Sequence, residues 1–417
     1  MKILAIYRHY WPDTPPYARI LRSILEHLAA SGHETTVYAA QPSYNDVRQP
    51  PQPWRENVGG VEIRRVRLLP ERKRWRVARA INAIYFSLRA VLHAVVGQRY
   101  DLVIANTQPP VLMGCALRLI CLLKGTPYIY HCQDLHPESA ALAGDLKRGW
   151  LYRLLERCDS AACRRARRVV VLSQDMAEAL KARGLPATNL SIINNPPLEI
   201  DMAVRPALPP PLDEPVDCAR FLFAGNIGRF QGLERLVAAA RLVAGRVPFQ
   251  LIFMGEGVAR RELVALAGDL LGRRIIFLPH QSLETAIAAM RVCDYGIVSL
   301  SANVYRFAYP SKSIMYLSAG CPLLALVEPE SELAKTIEHF GLGYVATSRS
   351  VAHIAETILK AVVGRGKWTP ERRRQIEQVC RELYDQKRML AAWDRLIADE
   401  PEATSIDRTD QPAPRAA

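Results

Sequence analysis

The feature that most constrains this chain is the regular alternation of short apolar runs with longer amphipathic ones. In the first half, the runs KILAIY, ETTVYAA, YDLVIAN and PYIYHC predict strands, and the stretches between them, such as ARILRSILEHLAASG, have helical spacing. Continuous apolar strands separated by helices are typical of a parallel sheet that is covered on both faces. The pattern therefore predicts an α/β fold with a doubly wound, Rossmann-like sheet.

The second half repeats this pattern after a break. Residues 206–215, PALPPPLDEP, favour neither a helix nor a central strand and predict a stiff linker. Strand-like runs such as ARFLFAGN, FQLIFMGEG and YGIVSL follow it. We expect an N-terminal domain at 1–205, a linker at 206–216, a second Rossmann-like domain at 217–384, a helix at 385–399 that returns to the first domain, and a disordered tail at 400–417. Two such sheets would leave a ligand cleft at the carboxyl ends of their strands.

Composition excludes the disordered and fibrous classes. The 417 residues are 49% hydrophobic and 23% charged, which is a globular balance. The nine cysteines form no Cys-x-x-Cys pair, so we expect a reducing compartment and no metal site. An arginine soon follows the run MKILAIY and no small-residue cleavage site appears, which indicates a first strand rather than a signal peptide. We therefore expect a cytoplasmic protein.

The net charge of +14 is concentrated in two basic runs, residues 64–79 and 157–168. A nucleic-acid site, a solvated face and an anionic membrane surface compete to explain it. No nucleic-acid motif accompanies the charge, which disfavours the first. Residues 81–96 predict an amphipathic helix that is too interrupted to span a bilayer. Peripheral contact with the inner face of the cell membrane and an ordinary charged face both stay open.

The stretch YRFAYPSKSIMYLSAGCPLLAL, residues 305–326, predicts a short helix that begins near Ser311 and Lys312. The free N–H groups at a helix start, with a lysine beside them, suit an anion such as phosphate. The alternative is a capped surface helix with a solvated lysine.

A second candidate phosphate site is the stretch AGNIGRFQG. Gly225, Gly228 and Gly232 lie between a predicted strand and a predicted helix, so the backbone could approach a pyrophosphate there. A tight turn without a ligand is the alternative. The side chains expected to donate to phosphate oxygens are Asn226, Arg229 and Gln231, and Glu256 lies in a turn at the next strand end.

Six stretches occur in the order and at the spacings of the family 4 glycosyltransferases of the GT-B fold. They are LAASGHETTVYAAQPSY, VLSQDMAEALKARGLPATNLSIINNPP, AGNIGRFQGLERLVAAA, LIFMGEG, CDYGIVSL and PSKSIMYLSAGCPLLAL. The chain most resembles the bacterial subgroup that builds O-antigen, capsule and exopolysaccharide repeats. The resemblance covers residues 1 to about 398.

The resemblance implies that the second domain binds a nucleotide-diphosphate sugar and that the first domain holds the acceptor. The sugar would be transferred with retention, and Lys312 and Arg229 would stabilise charge on the leaving diphosphate. The donor-binding residues would be Gly225, Asn226, Gly228, Gln231, Glu256, Ser311 and Met315. No cofactor or metal is expected, and the partners would be a nucleotide sugar and a lipid-linked saccharide at the inner membrane surface, with no nucleic acid.

The acceptor side is expected around the stretch YHCQDLHPES. Asp134 would lie at a strand's carboxyl end and point into the predicted cleft, which makes it the first candidate for contact with the reacting sugar or the acceptor hydroxyl. His136 is a second candidate, although a histidine beside proline is more often a loop hydrogen-bonder. Asp13, Tyr17 and Arg19 would shape the acceptor pocket from the first loop.

The chain also departs from the family pattern. Most members have Arg and Lys where this chain has Asn226 and Gln231, and two glutamates where it has Phe307 and Met315. The second glutamate usually holds the ribose hydroxyls of the donor. Two alternative functions therefore stay open: a sugar-nucleotide 2-epimerase, which shares the fold, and a non-catalytic sugar-nucleotide-binding or scaffold protein.

Overall fold

The computed structural model describes residues 1–13, 16–43, 50–70, 76–198 and 206–399. The chain divides into two compact units, each built on a sheet of its own. Unit 1 comprises the described residues of 1–198, 307–309 and 386–399, and unit 2 those of 206–306 and 310–385. The predicted tail, 400–417, lies outside the described residues.

Unit 1 contains an eight-stranded sheet. Its strands are β1 (Lys2–Tyr7), β2 (Glu34–Ala40), β3 (Arg55–Val58), β4 (Val61–Val66), β5 (Leu102–Asn106), β6 (Tyr128–His131), β7 (Arg168–Val171) and β8 (Leu190–Ile192). The spatial order is β3-β4-β2-β1-β5-β6-β7-β8, and all neighbours are parallel except the β3–β4 hairpin at one edge. Strands β1, β5 and β6 read as continuous apolar runs because helices bury both faces of the sheet.

Seven helices cover this sheet. They are α1 (Pro16–Ala30), α2 (Arg76–Val96), α3 (Leu112–Lys124), α4 (Glu138–Leu142), α5 (Trp150–Arg165), α6 (Gln174–Ala182) and α14 (Gln386–Ala398). The last of these packs on α1, and its Trp393 is fully buried in one core with Tyr7, Leu21 and Ile129. Unit 1 therefore takes part of its core from the C-terminal end of the chain.

Unit 2 contains a six-stranded, wholly parallel sheet with the order β11-β10-β9-β12-β13-β14. Its strands are β9 (Ala219–Ala224), β10 (Phe249–Met254), β11 (Ile275–Leu278), β12 (Tyr295–Ser299), β13 (Leu323–Leu326) and β14 (Gly343–Ala346). Its helices are α7 (Leu233–Val243), α8 (Arg260–Ala267), α9 (Leu283–Val292), α10 (Lys312–Ser318), α11 (Glu332–Phe340), α12 (Val351–Val363) and α13 (Pro370–Leu383).

The structure divides the basic run at residues 64–79. Arg64 and Arg65 belong to β4, where Arg64 pairs with Glu62 at 2.8 Å and the buried Arg65 pairs with Glu56. Arg65 is therefore not available to an anionic surface, whereas Arg64 is partly exposed and shares Glu62 with Arg55. Residues 71–75 lie outside the described part of the chain.

Candidate active site

Two glycine-containing turns meet at the carboxyl ends of β9 and β10. Gly225 follows β9 with a φ of 117°, and a Cβ on Gly255 would lie 2.1 Å from the Gly225 carbonyl oxygen. The N–H group of Ile227 donates to the Glu256 carbonyl at 2.9 Å, and a Cβ on Gly257 would collide with the Ile227 carbonyl. Only glycine permits this backbone-to-backbone packing. The two turns, residues 225–228 and 255–257, therefore form one rigid unit beside the start of α7. We call this unit the glycine rim, or the rim.

Lys312 lies against this rim. Its Nζ atom is 3.5 Å from the Asn226 carbonyl oxygen and 3.6 Å from the centroid of the Phe223 ring. A Cβ on Gly225 would come within 3.0 Å of the Lys312 Cε atom. The side chain keeps some solvent contact, but its position among protein atoms desolvates the ammonium group and lowers the pKa of Lys312 to about 7. No carboxylate among the described residues pairs with it, so the rim holds a cation that lacks an anion.

Tyr316, one helical turn after Lys312, fixes the position of α10. Its hydroxyl accepts a hydrogen bond from the Ala224 N–H at 2.8 Å and donates one to the Leu222 carbonyl at 2.9 Å. The ring fills space that a side chain at Gly296 would occupy, since a Cβ there would lie 2.2 Å from the ring. Buried tyrosine hydroxyls need such partners. The clamp ties α10 to the last residues of β9 and so holds Lys312 at the rim.

The other predicted donor-side residues divide into two groups. Asn226, Arg229, Glu256 and Ser311 are exposed, and Met315 is half-buried on α10. Glu256 lies 3.7 Å from Arg260. Gln231 also closes the turn, because its Oε1 atom accepts a hydrogen bond from the Gly228 N–H at 2.6 Å. Only its Nε2 side is left to meet a ligand.

In unit 1, Asp134 lies two residues beyond the buried Cys132, in the loop after β6. It forms a single antiparallel bridge with Ala308, and the neighbouring Leu135 N–H donates to the Phe307 carbonyl at 2.8 Å. Burial raises the pKa of Asp134 to about 6, and no described side chain donates a hydrogen bond to its carboxyl group. The loop thus presents a desolvated carboxyl group that titrates near neutral pH.

A buried ion cluster centred on Arg183 supports this loop. The Nε atom of Arg183 donates to Glu138 at 2.8 Å, and its Nη1 atom donates to Asp159 at 2.8 Å. Its Nη2 atom also contacts Glu138 and donates to the His136 carbonyl at 3.1 Å. All three charged side chains are nearly excluded from solvent. Arg183 therefore joins the loop backbone to α4 and α5, and we regard it as a positioning residue.

His136 lies in the same loop, and both of its ring nitrogens are buried without a hydrogen-bond partner in the described structure. Burial, followed by the charge of Arg183, lowers the pKa of His136 to about 4. The ring is therefore neutral at physiological pH and has one donor and one acceptor to offer.

The structure describes Asp13, Tyr17 and Arg19, the residues expected to shape the acceptor pocket, and their role stays a prediction. Asp13 is buried, bonded to the His9 Nδ1 atom at 2.7 Å and to the Ser43 N–H at 3.3 Å. Tyr17 packs against the core of unit 1, and Arg19 is exposed on α1. Asp13 therefore makes structural hydrogen bonds around the first loop. The side chain of Arg19 contacts no partner among the described residues.

A row of buried polar residues at the carboxyl edge of the sheet escaped the sequence analysis. Tyr7, Asn106 and His131 are the last residues of the adjacent strands β1, β5 and β6, and Asn106 pairs directly with His131. Each is almost fully buried and has one polar atom without a partner in the described structure: Tyr7 Oη, Asn106 Nδ2 and His131 Nδ1. Buried polar atoms of this kind call for a ligand, a water or another explanation. The sequence does contain a signal for this row, because each of the three apolar runs ends in a polar residue.

Within the ranges that the structure describes, no three His, Cys, Asp or Glu side chains converge to hold a metal ion. That the reaction needs no metal stays a prediction.

The comparisons with known proteins agree with this geometry. Residues 17–196 match a family described as a glycosyl transferase 4-like domain, and residues 218–363 match the family glycosyl transferases group 1. Together these two matches span most of the chain. The chain belongs to the family 4 glycosyltransferases. The predicted family and enzyme class are confirmed.

Two curated bacterial proteins are similar to this glycosyltransferase. The probable glycosyltransferase WbjE of Pseudomonas aeruginosa is 27% identical over 299 residues, which cover 69% of this chain and 74% of that protein. The putative colanic acid biosynthesis glycosyl transferase WcaI of Escherichia coli strain K12 is 26% identical over 379 residues, covering 87% of this chain and 92% of that protein. Both agree with the predicted bacterial subgroup.

Among solved structures, Anabaena HepE in complex with UDP and glucose is similar to this glycosyltransferase in fold. It is 16% identical with a TM-score of 0.67, and the match covers 96% of this chain and 100% of that one. The predicted fold class, two Rossmann-like parallel-sheet domains, is confirmed.

Proposed function

We propose that this glycosyltransferase moves a sugar from a nucleotide-diphosphate sugar to a lipid-linked saccharide acceptor, with retention of configuration, in cell-surface polysaccharide biosynthesis. The observation that carries the proposal is the position of Lys312, a desolvated lysine at a glycine rim to which no carboxylate of the described residues is paired. A bound diphosphate would supply the missing negative charge.

The donor diphosphate is assigned to the rim of unit 2. The N–H groups of Gly225 and Gly228 already donate to the Met254 carbonyl and to Gln231, so the donors that this turn offers to phosphate oxygens are the exposed side chains of Arg229 and Asn226. That HepE was solved with UDP supports a nucleotide donor. As the bond to the leaving group breaks, negative charge grows on the diphosphate, and Lys312 and Arg229 would stabilise it. Since the leaving diphosphate could itself take the acceptor proton, no protein nucleophile is needed.

The acceptor is assigned to unit 1. Asp134 can accept a hydrogen bond from a sugar hydroxyl when it is ionised, and a pKa of about 6 leaves it mostly ionised at neutral pH. His136 offers neutral ring nitrogens in the same loop. These two groups would orient the acceptor hydroxyl rather than form a covalent bond to the sugar.

A lipid-linked acceptor is the finer part of the proposal. Of the described helices, none is long and apolar enough to cross a bilayer. The enzyme would therefore have to meet such an acceptor at a membrane surface. The name of WcaI, which refers to colanic acid biosynthesis, supports a role in polysaccharide assembly.

The test is a thermal-shift series with UDP, GDP, ADP and dTDP, followed by transfer assays with sugars of the nucleotide that binds. We expect one nucleotide diphosphate to raise the melting temperature of the wild type by mass action. Lys312→Ala should remove this shift, whereas Lys335→Ala, at an exposed lysine of α11, should keep it. If no nucleotide stabilises the wild type, the donor assignment is wrong. Binding without transfer to any lipid-linked saccharide would favour the non-catalytic alternative.

A further inference from the structure

Helix α2 is apolar on two opposite sides. Its buried side contains Phe86, Ala90 and Ala94. Its solvent side carries a second apolar stripe at spacings of three and four residues: Val77, Ile81, Ile84, Leu88, Leu92 and Val96. A surface helix of a globular protein normally exposes polar residues on that side. Val77 is 73% exposed and Val96 is 74% exposed, so the stripe runs the full length of the helix.

The neighbouring helices extend this apolar surface. Helix α3 packs on α2 and exposes Leu119, Leu122 and Leu123. Helix α5 packs on α3 and exposes Leu151, Leu154 and Trp150, the last at 77%. We name the solvent sides of α2, α3 and α5 the three-helix face. Contiguous exposed apolar surface of this kind marks an interaction site.

The charged side chains of α2 and α3 on the three-helix face are all positive. Helices α2 and α3 contain no Asp or Glu, and the exposed Arg89 and Arg118 flank their apolar stripes, whereas Arg79 and Lys124 are exposed at helix ends on the opposite side. The exposed Lys147 and Arg148 lie just before α5, and the exposed Arg153 lies in its first turn. Apolar side chains mixed with cations are the pattern of helices that lie in the interface of an anionic bilayer, where tryptophan is also enriched.

From these observations we infer that the three-helix face docks on an anionic lipid surface. The leucines and Trp150 would enter the boundary between headgroups and acyl chains, and the cations would contact lipid phosphates. A second copy of the chain fits less well, because a two-fold interface would place the same cations against each other. The inference deepens the proposed function, on which its biological setting rests, by naming the membrane as the partner of unit 1.

The test is flotation of the full chain with vesicles of phosphatidylcholine alone or mixed with phosphatidylglycerol, across a sodium chloride series. We expect binding to the anionic vesicles at low salt. It should weaken as the Debye length falls below about 8 Å, and a salt-resistant remainder should come from the inserted apolar side chains.

Two variants separate these contributions. The charge variant Arg118→Gln, Lys147→Gln, Arg153→Gln should lose about fivefold in partitioning for each cation removed at low salt. The apolar variant Leu88→Gln, Leu122→Gln, Trp150→Gln should lose the salt-resistant remainder. Matched controls change exposed residues of unit 2: Arg246→Gln, Arg261→Gln, Arg291→Gln for charge, and Leu242→Gln, Val258→Gln, Val363→Gln for apolar surface. Both controls should bind as the wild type does.

Wild-type protein that ignores anionic vesicles at low salt would overturn the inference. So would loss of binding in the control variants, since the effect would then not belong to the three-helix face. If sedimentation instead shows a dimer that the apolar variant dissociates, a second copy covers this face and the membrane assignment is wrong. Nucleotide thermal shifts on the same samples report on the donor site separately, so failure of the proposed function and failure of this inference are distinguishable.

Discussion

The Nζ atom of Lys312 lies 3.6 Å from the centroid of the Phe223 ring, which gives this lysine a cation–π contact in place of an ion pair. A cation–π contact compensates for only part of the hydration free energy that an ammonium group loses when it is buried. Phe223 is the next-to-last residue of β9, so the ring belongs to the rigid sheet and not to the turn. The ammonium group is therefore held at the rim in a state that an incoming anion would stabilise.

The first prediction concerns Lys312 itself. Lys312→Ala should raise the dissociation constant of the donor and slow transfer, with a combined loss of roughly 2–4 kcal/mol in transition-state stabilisation. Lys312→Arg should fall between the alanine variant and the wild type, because the charge stays but its geometry changes. Steady-state kinetics with the donor varied is the measurement. Unchanged kinetics in the alanine variant would show that the lysine is only a surface group.

The second prediction is a pH dependence of donor affinity. Because the pKa of Lys312 is lowered to about 7, the free enzyme loses this charge as the pH rises through 7. Donor affinity should therefore fall between pH 6.5 and 8.5, by at most about tenfold per pH unit. Lys312→Arg stays charged throughout and should flatten the profile. Titration calorimetry at several pH values is the measurement, and an equally steep profile in the arginine variant would contradict the assignment.

The third prediction concerns Asp134→Asn, which should lower turnover yet stabilise the fold at neutral pH. The pKa of Asp134 is raised to about 6 in the folded protein, so the folded state holds a proton that the unfolded state releases at lower pH. The charged carboxylate thus destabilises the fold increasingly from about pH 4 to pH 6 and fully above it.

The asparagine variant lacks this penalty. Above pH 6 its free energy of unfolding should exceed that of the wild type by about 1–2 kcal/mol, and the difference should close below about pH 4. Urea unfolding at pH 4 and pH 7.5 measures it. A variant that is less stable at pH 7.5 would show that the carboxylate has a stabilising partner instead.

The fourth prediction concerns Arg183. Arg183→Ala leaves Glu138 and Asp159 buried without their shared cation, so the free energy of unfolding should fall by about 3–5 kcal/mol. Lys181→Ala, at an exposed pair two residues away, should change it by less than about 1 kcal/mol. Chemical denaturation of both variants makes the comparison. Similar small effects in the two would mean that the cluster does not support the Asp134 loop.

The fifth prediction tests the departure from the family at Met315. Met315→Glu should tighten nucleotide binding if the ribose lies beside α10, because a carboxylate can accept hydrogen bonds from two hydroxyls. Met315→Gln is the control, since it keeps the size without the charge and should gain less. Thermal shifts with the bound nucleotide give the order of affinities. Weaker binding in the glutamate variant would place the ribose elsewhere.

The sequence predicted those parts of the fold that depend on local pattern. The apolar runs of β1, β5 and β9 and the glycine-rich turn after Ala224 were all legible, because buried parallel strands have a continuous composition. The hairpin of β3 and β4 was missed. Its strands carry charges on alternate residues and the end of β4 was counted in the basic run at 64–79, although Gly59 and Gly60, with φ of 60° and 80°, mark the turn.

Only those features of the candidate site that depend on residues close together in sequence could be predicted. That Lys312 begins a helix was predicted, but its contact with the rim depends on Tyr316, whose hydroxyl bonds Ala224 across 92 residues. Arg183 meets Glu138 across 45 residues and Asp159 across 24, and nothing in its local sequence distinguishes it from a solvated arginine. Long-range partners of this kind are set by packing, which periodicity does not encode.

The return of α14 to unit 1 has a consequence for biosynthesis of the chain. Trp393 completes the core around Tyr7 and Ile129, so the N-terminal sheet leaves the ribosome with a gap in its packing. Residues 199–385 must be translated before that gap is filled, which at the usual pace of elongation takes roughly 10–40 s. During this interval the core residues that Trp393 later covers stay exposed, and residues 206–385 of unit 2 are translated before unit 1 is complete.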